Sequence, residues 1–280
     1  AKFLSRTLIA ARRAVGLGPV VTVVRSGVRW RLDLREGIDL AMYLGIYRTI
    51  PKAALEAVKE GDLVVDVGAN IGPCTLPLAR RVGETGKVIA VEPTKHAFDK
   101  LSGNLALNPH LAERVEPLQC FLCEAPGDTV PEAIPSSWPL SGGDGEEVDP
   151  LHGGKAMDTR GAWATSIDAV LRDRADGRRL SLIKVDVDGH ELSVLRGAEH
   201  AIRQHRPVIV IEIAPYVQAR QPGGLKALLD EISRLHYRLE DANTGHIVAL
   251  DEAAIRRQIP DGAGTDMIAR FNPAHAGVEE

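Results

Sequence analysis

The sequence has 280 residues, 34 Lys and Arg against 38 Asp and Glu, a net charge of −4, 44% hydrophobic residues and only three cysteines. At roughly 150 residues per domain, that length allows one large domain or two small ones, with a core that needs no disulfide staples. The mild, interspersed acidity excludes the strong positive field of a general nucleic-acid binder, and no apolar run approaches the roughly 20 residues of a membrane span.

The first segment, Ala1 to Gly18, is basic (Lys2, Arg6, Arg12, Arg13) and mildly amphipathic. It lacks the continuous apolar stretch and small-residue cleavage site of a signal peptide. It reads as a surface helix, with docking on a membrane surface or a partner as the alternative. Val20 to Leu34 alternates around Ser26-Gly27 and predicts a hairpin. Pro51 to Glu60 predicts a helix, with Pro at its start and Gly61 just past its end. Residues 1–60 are therefore expected to cap the remainder, 61–280.

From residue 60 onward, Val/Ile/Leu runs alternate with segments of helical period, the signature of βαβ units on a parallel sheet. The runs are Leu63 to Val67, Val88 to Val91, a third near Val115 to Leu122, Leu182 to Val187 and Val208 to Ile213. Burial on both faces explains why they are continuous instead of alternating. Thr94 to Leu107 predicts a helix capped by Thr94, Glu191 to Ile202 a second and Leu225 to Leu235 a third. Tyr237 to Leu239, Ile247 to Leu250 and Met267 to Phe271 are strand candidates expected to close the sheet edge as an antiparallel pair. Between them, Val115 to Gly154 contains no Lys or Arg but eight acids. An insert at about 124–164 is expected as a surface loop or a substrate lid. Trp138 and Trp163 flank its acidic part and serve either to anchor it or to stack on a ring. Cys120 and Cys123 have no second pair to complete a zinc site and suit a reducing, cytoplasmic setting.

The most informative stretch is Leu63-Val64-Val65-Asp66-Val67-Gly68-Ala69-Asn70-Ile71-Gly72, an apolar strand running into a glycine turn that opens a helix. Gly68 and Gly72 are expected to let the backbone approach a ligand closely. The DxGxxxG spacing is not the GxGxxG of a dinucleotide site, which disfavours a nicotinamide-dependent oxidoreductase. An acid inside the turn suits a ligand bearing an amino acid, since Asp66 can face an ammonium. Glu92, at the end of the second strand, is placed to take the hydroxyls of a ribose.

Together these residues resemble the class I methyltransferase fold. VVDVGANIG, VIAVEP, the stretch Ser181-Leu182-Ile183-Lys184-Val185-Asp186-Val187-Asp188-Gly189-His190-Glu191, then VLRGAEHAI and RPVIVIE, look more closely like the FkbM family of S-adenosylmethionine-dependent methyltransferases. The upstream YLGIYR (Tyr43 to Arg48) and Thr165 to Asp168 also fit. The resemblance spans roughly residues 28–215. It implies a Rossmann-like α/β fold with a mostly parallel seven-stranded sheet and helices on both faces. It also implies methyl transfer to a hydroxyl of a sugar, glycan or secondary metabolite, with S-adenosylhomocysteine as product. On this resemblance Asp66, Gly68, Ala69, Asn70 and Gly72 line the methionine end and Glu92 the ribose. The adenine site lies near Gln119 to Cys123, where Cys-Phe-Leu-Cys-Glu departs from the family's pattern.

Methyl transfer is an in-line displacement that needs an aligned acceptor and a group to take its proton. His190 is the best base by type. Asp186 orients either the acceptor or the cofactor ammonium, and Glu212, ending the fifth strand, is a third candidate. His190 and Asp188 have plainer roles open to them, in the turn and as a helix cap, and Lys184 that of an internal ion-pair partner. Asp186, Asp188, Glu191 and Glu212 together admit a divalent cation such as Mg²⁺ as an alternative to a base, although the spacing matches no defined metal loop. A non-catalytic cofactor-binding protein is the rival reading. The partner expected is a small-molecule or glycosidic hydroxyl acceptor, with no nucleic acid and no membrane span. The oligomeric state is open, a homodimer being one option.

Overall fold

The computed structural model describes residues 1–47, 49–140, 148 and 153–273. Arg48 of the YLGIYR stretch and most of the acidic part of the insert, 141–147 and 149–152, lie outside the described residues. The chain opens with helix α1 (Lys2–Ala14) and the hairpin β1 (Val20–Arg25) and β2 (Val28–Asp33). Ser26 and Gly27 both adopt positive φ, 49° and 72°, the turn whose twist matches two antiparallel strands. Helices α2 (Gly37–Leu44) and α3 (Lys52–Leu55) complete the cap. The helix expected over Pro51 to Glu60 is only this short. Arg81 donates to the carbonyls of Leu55 and Val58, so the acceptors a longer helix would use are taken, and Val58 folds into the core instead.

Next come β3 (Leu63–Val67), α4 (Thr75–Arg81), β4 (Lys87–Val91), α5 (Lys95–Ala106), α6 (Pro109–Ala112), β5 (Val115–Leu118) and β6 (Cys120–Leu122). Thr94 caps α5 by accepting from the N–H of Ala97. The single strand expected near Val115 to Leu122 is two. Glu92 N–H donates to the Leu118 carbonyl, and Pro93 then has no N–H to continue the ladder. Cys120–Leu122 pairs instead with β9 (Trp163–Thr165). The insert between them is partly a hairpin of β7 (Ala133–Ser137) and β8 (Lys155–Asp158), so the expectation of a plain loop is corrected over these residues.

The second half contains α7 (Ile167–Arg174), β10 (Leu180–Val185), α8 (Glu191–Arg196), α9 (Glu199–His205), β11 (Val208–Ile213), α10 (Pro215–Gln218), α11 (Gly224–Arg234), β12 (Tyr237–Asp241), β13 (Ile247–Val248), α12 (Glu252–Gln258) and β14 (Thr265–Phe271). Glu191 to Ile202 is two helices where one was expected. Gly197 lies so close to the Cys123 carbonyl that a Cβ there would sit 2.1 Å from its oxygen. The Asp168 carboxylate accepts from His200 and Ala201 N–H, both at 2.9 Å, which gives α9 its own start.

The main sheet runs β13-β12-β14-β11-β10-β3-β4-β5. Pairing is parallel from β11 to β5 and antiparallel among β11, β14, β12 and β13. The fold class is α/β with a large, mainly parallel sheet, but the strand count is eight and the antiparallel edge has three strands. The two-residue β13 makes the difference. Val65, Val67, Ile183 and Val185 pack beneath α7, α8, α9 and α11 on one face. Val64, Leu182 and Val210 share the other with α4, α5 and the cap residues Leu32, Leu34 and Ala54. The cap thus belongs to the sheet's own core.

Candidate active site

Strand order reverses at β3: the chain steps outward to β4 and β5 on one side, and to β10 and β11 on the other. The crossovers leave a crevice at the carboxyl ends of the strands there. Val67 to Asn70, Glu92, Phe121, Ser136, Trp138, Lys184, Asp186 and His190 are among the residues that line a cleft at this point.

The glycine turn is shaped by its neighbours. Gly68 has φ 75°, and a Cβ there would lie 1.9 Å from the Asp186 carbonyl oxygen. Gly72 has φ 97°, and a Cβ there would lie 2.9 Å from Leu101 of α5. Both glycines answer close protein contacts; Gly68 also lines the cleft, and Gly72 is not among the cleft residues. Gly68 and Ala69 donate to the Val91 carbonyl at 3.0 and 2.9 Å. Asn70 adopts φ 48°, its own Oδ1 accepting from Ile71 N–H. Its backbone N–H donates to Glu92 Oε2 at 3.0 Å and its amide to the Ser136 carbonyl at 3.4 Å.

Glu92 is buried at the end of β4. Its Oε1 accepts from the N–H and hydroxyl of Thr94, at 3.0 and 2.6 Å. Burial raises its carboxyl above the ordinary value, with the Thr94 and Asn70 donors pulling the other way. Val91, Pro93, Cys120, Phe121 and Leu122 form an apolar slot beside it. Gln119 is not part of the slot, because its amide donates to the Arg160 carbonyl at 3.0 Å.

Asp66 stands behind the cleft wall. It is fully buried; Oδ2 accepts from the Thr75 hydroxyl at 2.6 Å, and Oδ1 has no hydrogen-bond partner. Burial raises its carboxyl against the pull of Lys184 and Thr75. Asp186, unlike Asp66, reaches the cleft. The buried Lys184 ammonium lies 3.0 Å from Asp186 and 3.9 Å from Asp66, and donates to the Gly68 carbonyl at 3.0 Å. Burial alone would lower the Lys184 pKa, but the two acids outweigh it and keep the side chain charged. Lys184 is thus the internal ion-pair partner of Asp186, and it ties the glycine turn to the end of β10.

His190 lines the cleft at the start of α8, edge-on to Phe121 with ring centroids 5.2 Å apart. Burial lowers its pKa, with Asp188 opposing, so the ring is neutral at pH 7. Asp188, at φ 50°, is not the cap of α8, whose N-cap residue is His190. Glu191 turns inward, accepting from Gly189 N–H and the Gln218 amide, which removes it from any cation site with Asp186 and Glu212. Among the described residues no group of three His, Cys, Asp or Glu is disposed to hold a metal ion. Cys123 donates its thiol to the carbonyls of Ala125 and Thr165.

Glu212 lies in an adjoining cleft with Tyr47, Thr49, Lys52, Asp186 and Asp266. Burial and the charges of Asp186, Asp188, Glu191 and Asp266 push its carboxyl up to about 9, so it keeps its proton at neutral pH. Asp186 and Tyr47 border both clefts. The structure therefore brings Gly68, Ala69, Asn70, Glu92, Asp186 and His190 together, with Glu212 next door, and leaves Asp66, Gly72 and Gln119 outside the cleft lining.

Ser136 and Trp138 come from the insert, Ile38 and Tyr47 from the cap, and of these only Trp138 was singled out in the sequence, as an anchor of the insert or a stacking ring. Tyr47 had a weaker signal, its place in the YLGIYR stretch. Glu36 straps the insert to the cap by accepting from the Ser137 hydroxyl and Trp138 N–H, at 2.9 and 3.1 Å. Trp163, 47% exposed, does not line the cleft. The cleft thus combines an apolar slot, the buried Glu92 carboxylate and the Asp186 carboxylate.

Comparison with known proteins shows the family. The chain matches the methyltransferase FkbM domain over residues 66–239. Methyltransferase sdnD of Sordaria araneosa is 30% identical over 190 residues, 60% of this chain and 70% of that protein. Hexuronic acid methyltransferase AglP of Haloferax volcanii is 29% identical over 184 residues, 65% of this chain and 64% of that protein. Among solved structures, the methyltransferase FkbM of Methylobacillus flagellatus aligns with a TM-score of 0.42 at 20% identity, over 80% of this chain and 45% of that one. A SAM-dependent O-methyltransferase of Thermotoga maritima aligns with a TM-score of 0.44 at 16% identity, over 92% and 80%. The chain thus spans under two thirds of AglP and under half of the Methylobacillus protein.

Proposed function

This chain belongs to the FkbM methyltransferase family, and from that premise we propose that it is an O-methyltransferase acting on a hydroxyl of a sugar, glycan or secondary metabolite. The observation that carries the reading is the meeting of Glu92, Asp186 and His190 around one cleft at the strand-order reversal. S-adenosylmethionine, when bound, supplies an electrophilic methyl group. Glu92, held in place by Thr94 and Asn70, accepts the ribose hydroxyls through its remaining lone pairs. The slot from Val91 to Leu122 takes the adenine. Asp186, fixed by Lys184, holds the ammonium or orients the acceptor. His190, kept neutral by its partial burial, accepts the proton of the attacking hydroxyl. Glu212, still protonated, donates a hydrogen bond and does not serve as the base. The sugar acceptor is supported by the AglP relative, whose name gives hexuronic acid methylation.

The test is calorimetric titration with S-adenosylhomocysteine and, separately, NADH, with and without Mg²⁺. Saturable binding of the first alone is expected, independent of the ion. Glu92→Gln should weaken it by about 10- to 100-fold, the worth of charge-assisted hydrogen bonds. Binding of NADH in its place would sink the assignment. Loss of methyl transfer in chelator would favour the metal-assisted reading.

A further inference from the structure

Charge is distributed unevenly along the chain. Seven Lys and Arg and no Asp or Glu precede Asp33; against a total of −4, residues 33–280 therefore carry −11. The positive segment is α1 and the hairpin behind it. Helix α1 turns Ser5 and Ile9 inward, where the Ser5 hydroxyl donates to the Leu34 carbonyl. Its outer surface is largely apolar: Phe3, Ala10 and Ala14 recur at helical spacing around Thr7, whose hydroxyl donates to the Phe3 carbonyl, with Leu4, Ala11 and Val15 beside them, all exposed. Phe3 is 83% exposed, Val15 70% and Leu17, just past the helix, 50%. Lys2, Arg6 and Arg13 form an exposed stripe along one border of this surface, and Arg29 and Arg31 add exposed charge from β2.

We propose that α1 docks the protein on an anionic lipid surface, with Phe3, Leu4, Val15 and Leu17 entering the interface and Lys2, Arg6 and Arg13 against the headgroups. An outward apolar strip bordered by cations matches what a bilayer boundary offers, and apolar burial and charge attraction supply the two contributions that stable peripheral binding needs. A nucleic acid would engage the cations but leave the Phe and Leu in water. The −11 remainder is repelled by the same surface, which fixes the orientation with the cap toward the lipid. Leu34, beneath α1, is two residues from Glu36, the residue that straps the insert over the cleft. Docking therefore brings the cleft's own roof close to the membrane. No helix among the described residues is long and apolar enough to cross a bilayer, so the contact is peripheral.

Flotation of the full chain with vesicles tests this. Binding to phosphatidylcholine vesicles containing phosphatidylglycerol is expected, with little on phosphatidylcholine alone and release in high salt. Arg6→Glu with Arg13→Glu should weaken partitioning by at least about fivefold per charge removed. Phe3→Ser with Leu17→Ser should weaken it at unchanged charge. Both pairs lie outside the core, so the melting temperature and S-adenosylhomocysteine affinity should not move. Absence of binding to the anionic vesicles would overturn the proposal. So would binding that poly(U) displaces and Phe3→Ser with Leu17→Ser leaves intact, which would make the patch a polyanion site.

Discussion

His190 is edge-on to Phe121 and largely shielded from water, and that position sets its chemistry. A cation there loses hydration, so burial moves the imidazole pKa below the ordinary value of 6.5, against the pull of Asp188. If the ring is the base, the acid limb of kcat/KM lies below pH 6.5, and the rate is level through neutrality. His190→Ala should leave S-adenosylhomocysteine affinity unchanged and lower kcat on a true acceptor by about 100-fold or more. Full turnover by that variant would remove the base assignment. Residue type pointed to His190, and position at a strand end to Asp186 and Glu92. Position in the glycine motif pointed to Asp66 as well, and there the structure places the side chain in the interior. An acid in a glycine turn looks like a ligand contact, yet the side chain is fully buried behind the cleft wall and is met by Thr75 and Lys184.

At the scale of elements, glycines with the same letter in the sequence do opposite things. Gly103 lies inside α5 with nothing within 4 Å of where a Cβ would sit. Gly103→Ala should therefore stabilise the protein by about 0.5–1 kcal/mol through reduced unfolded-state freedom. Gly197 separates α8 from α9 against the Cys123 carbonyl, and Gly197→Ala should cost about 1–3 kcal/mol or more by overpacking. Urea unfolding of the two variants checks both signs. Helical period placed α5 and α11 to within a residue or two of their ends, because their apolar stripes and the Thr94 cap are local. The break after Arg196 depends on Cys123, more than 70 residues earlier in the chain, and on Asp168, so no local pattern could announce it.

Across the whole molecule, the acids gathered at the ends of β10 and β11 shape the response to pH. Glu212 has a folded-state value of about 9 against an ordinary 4.5. Its neutral form is favoured by folding, so its contribution is fully present below pH 4.5 and is lost as pH rises toward 9. Glu212→Gln should accordingly gain stability relative to the parent as pH is raised across that window. Melting temperatures measured at several pH values would show the gap widen. A constant gap would mean Glu212 is ionised in the folded protein.

The sequence by itself determined the α/β class, the parallel core strands, the turn after β3 and the acids and histidine at the strand ends. Continuous apolar runs, glycine at fixed offsets and residue chemistry are local properties that survive without a third dimension. The tertiary structure decided which of those residues share a surface. It hid Asp66, diverted Gln119 to Arg160 and turned Glu191 inward to Gln218. It also raised Glu212 among its neighbouring acids and roofed the cleft with Ser136 and Trp138 from the insert. Each of these depends on what another segment places within a few ångströms, and hydrogen bonding and burial act on distance in space, which sequence separation does not encode.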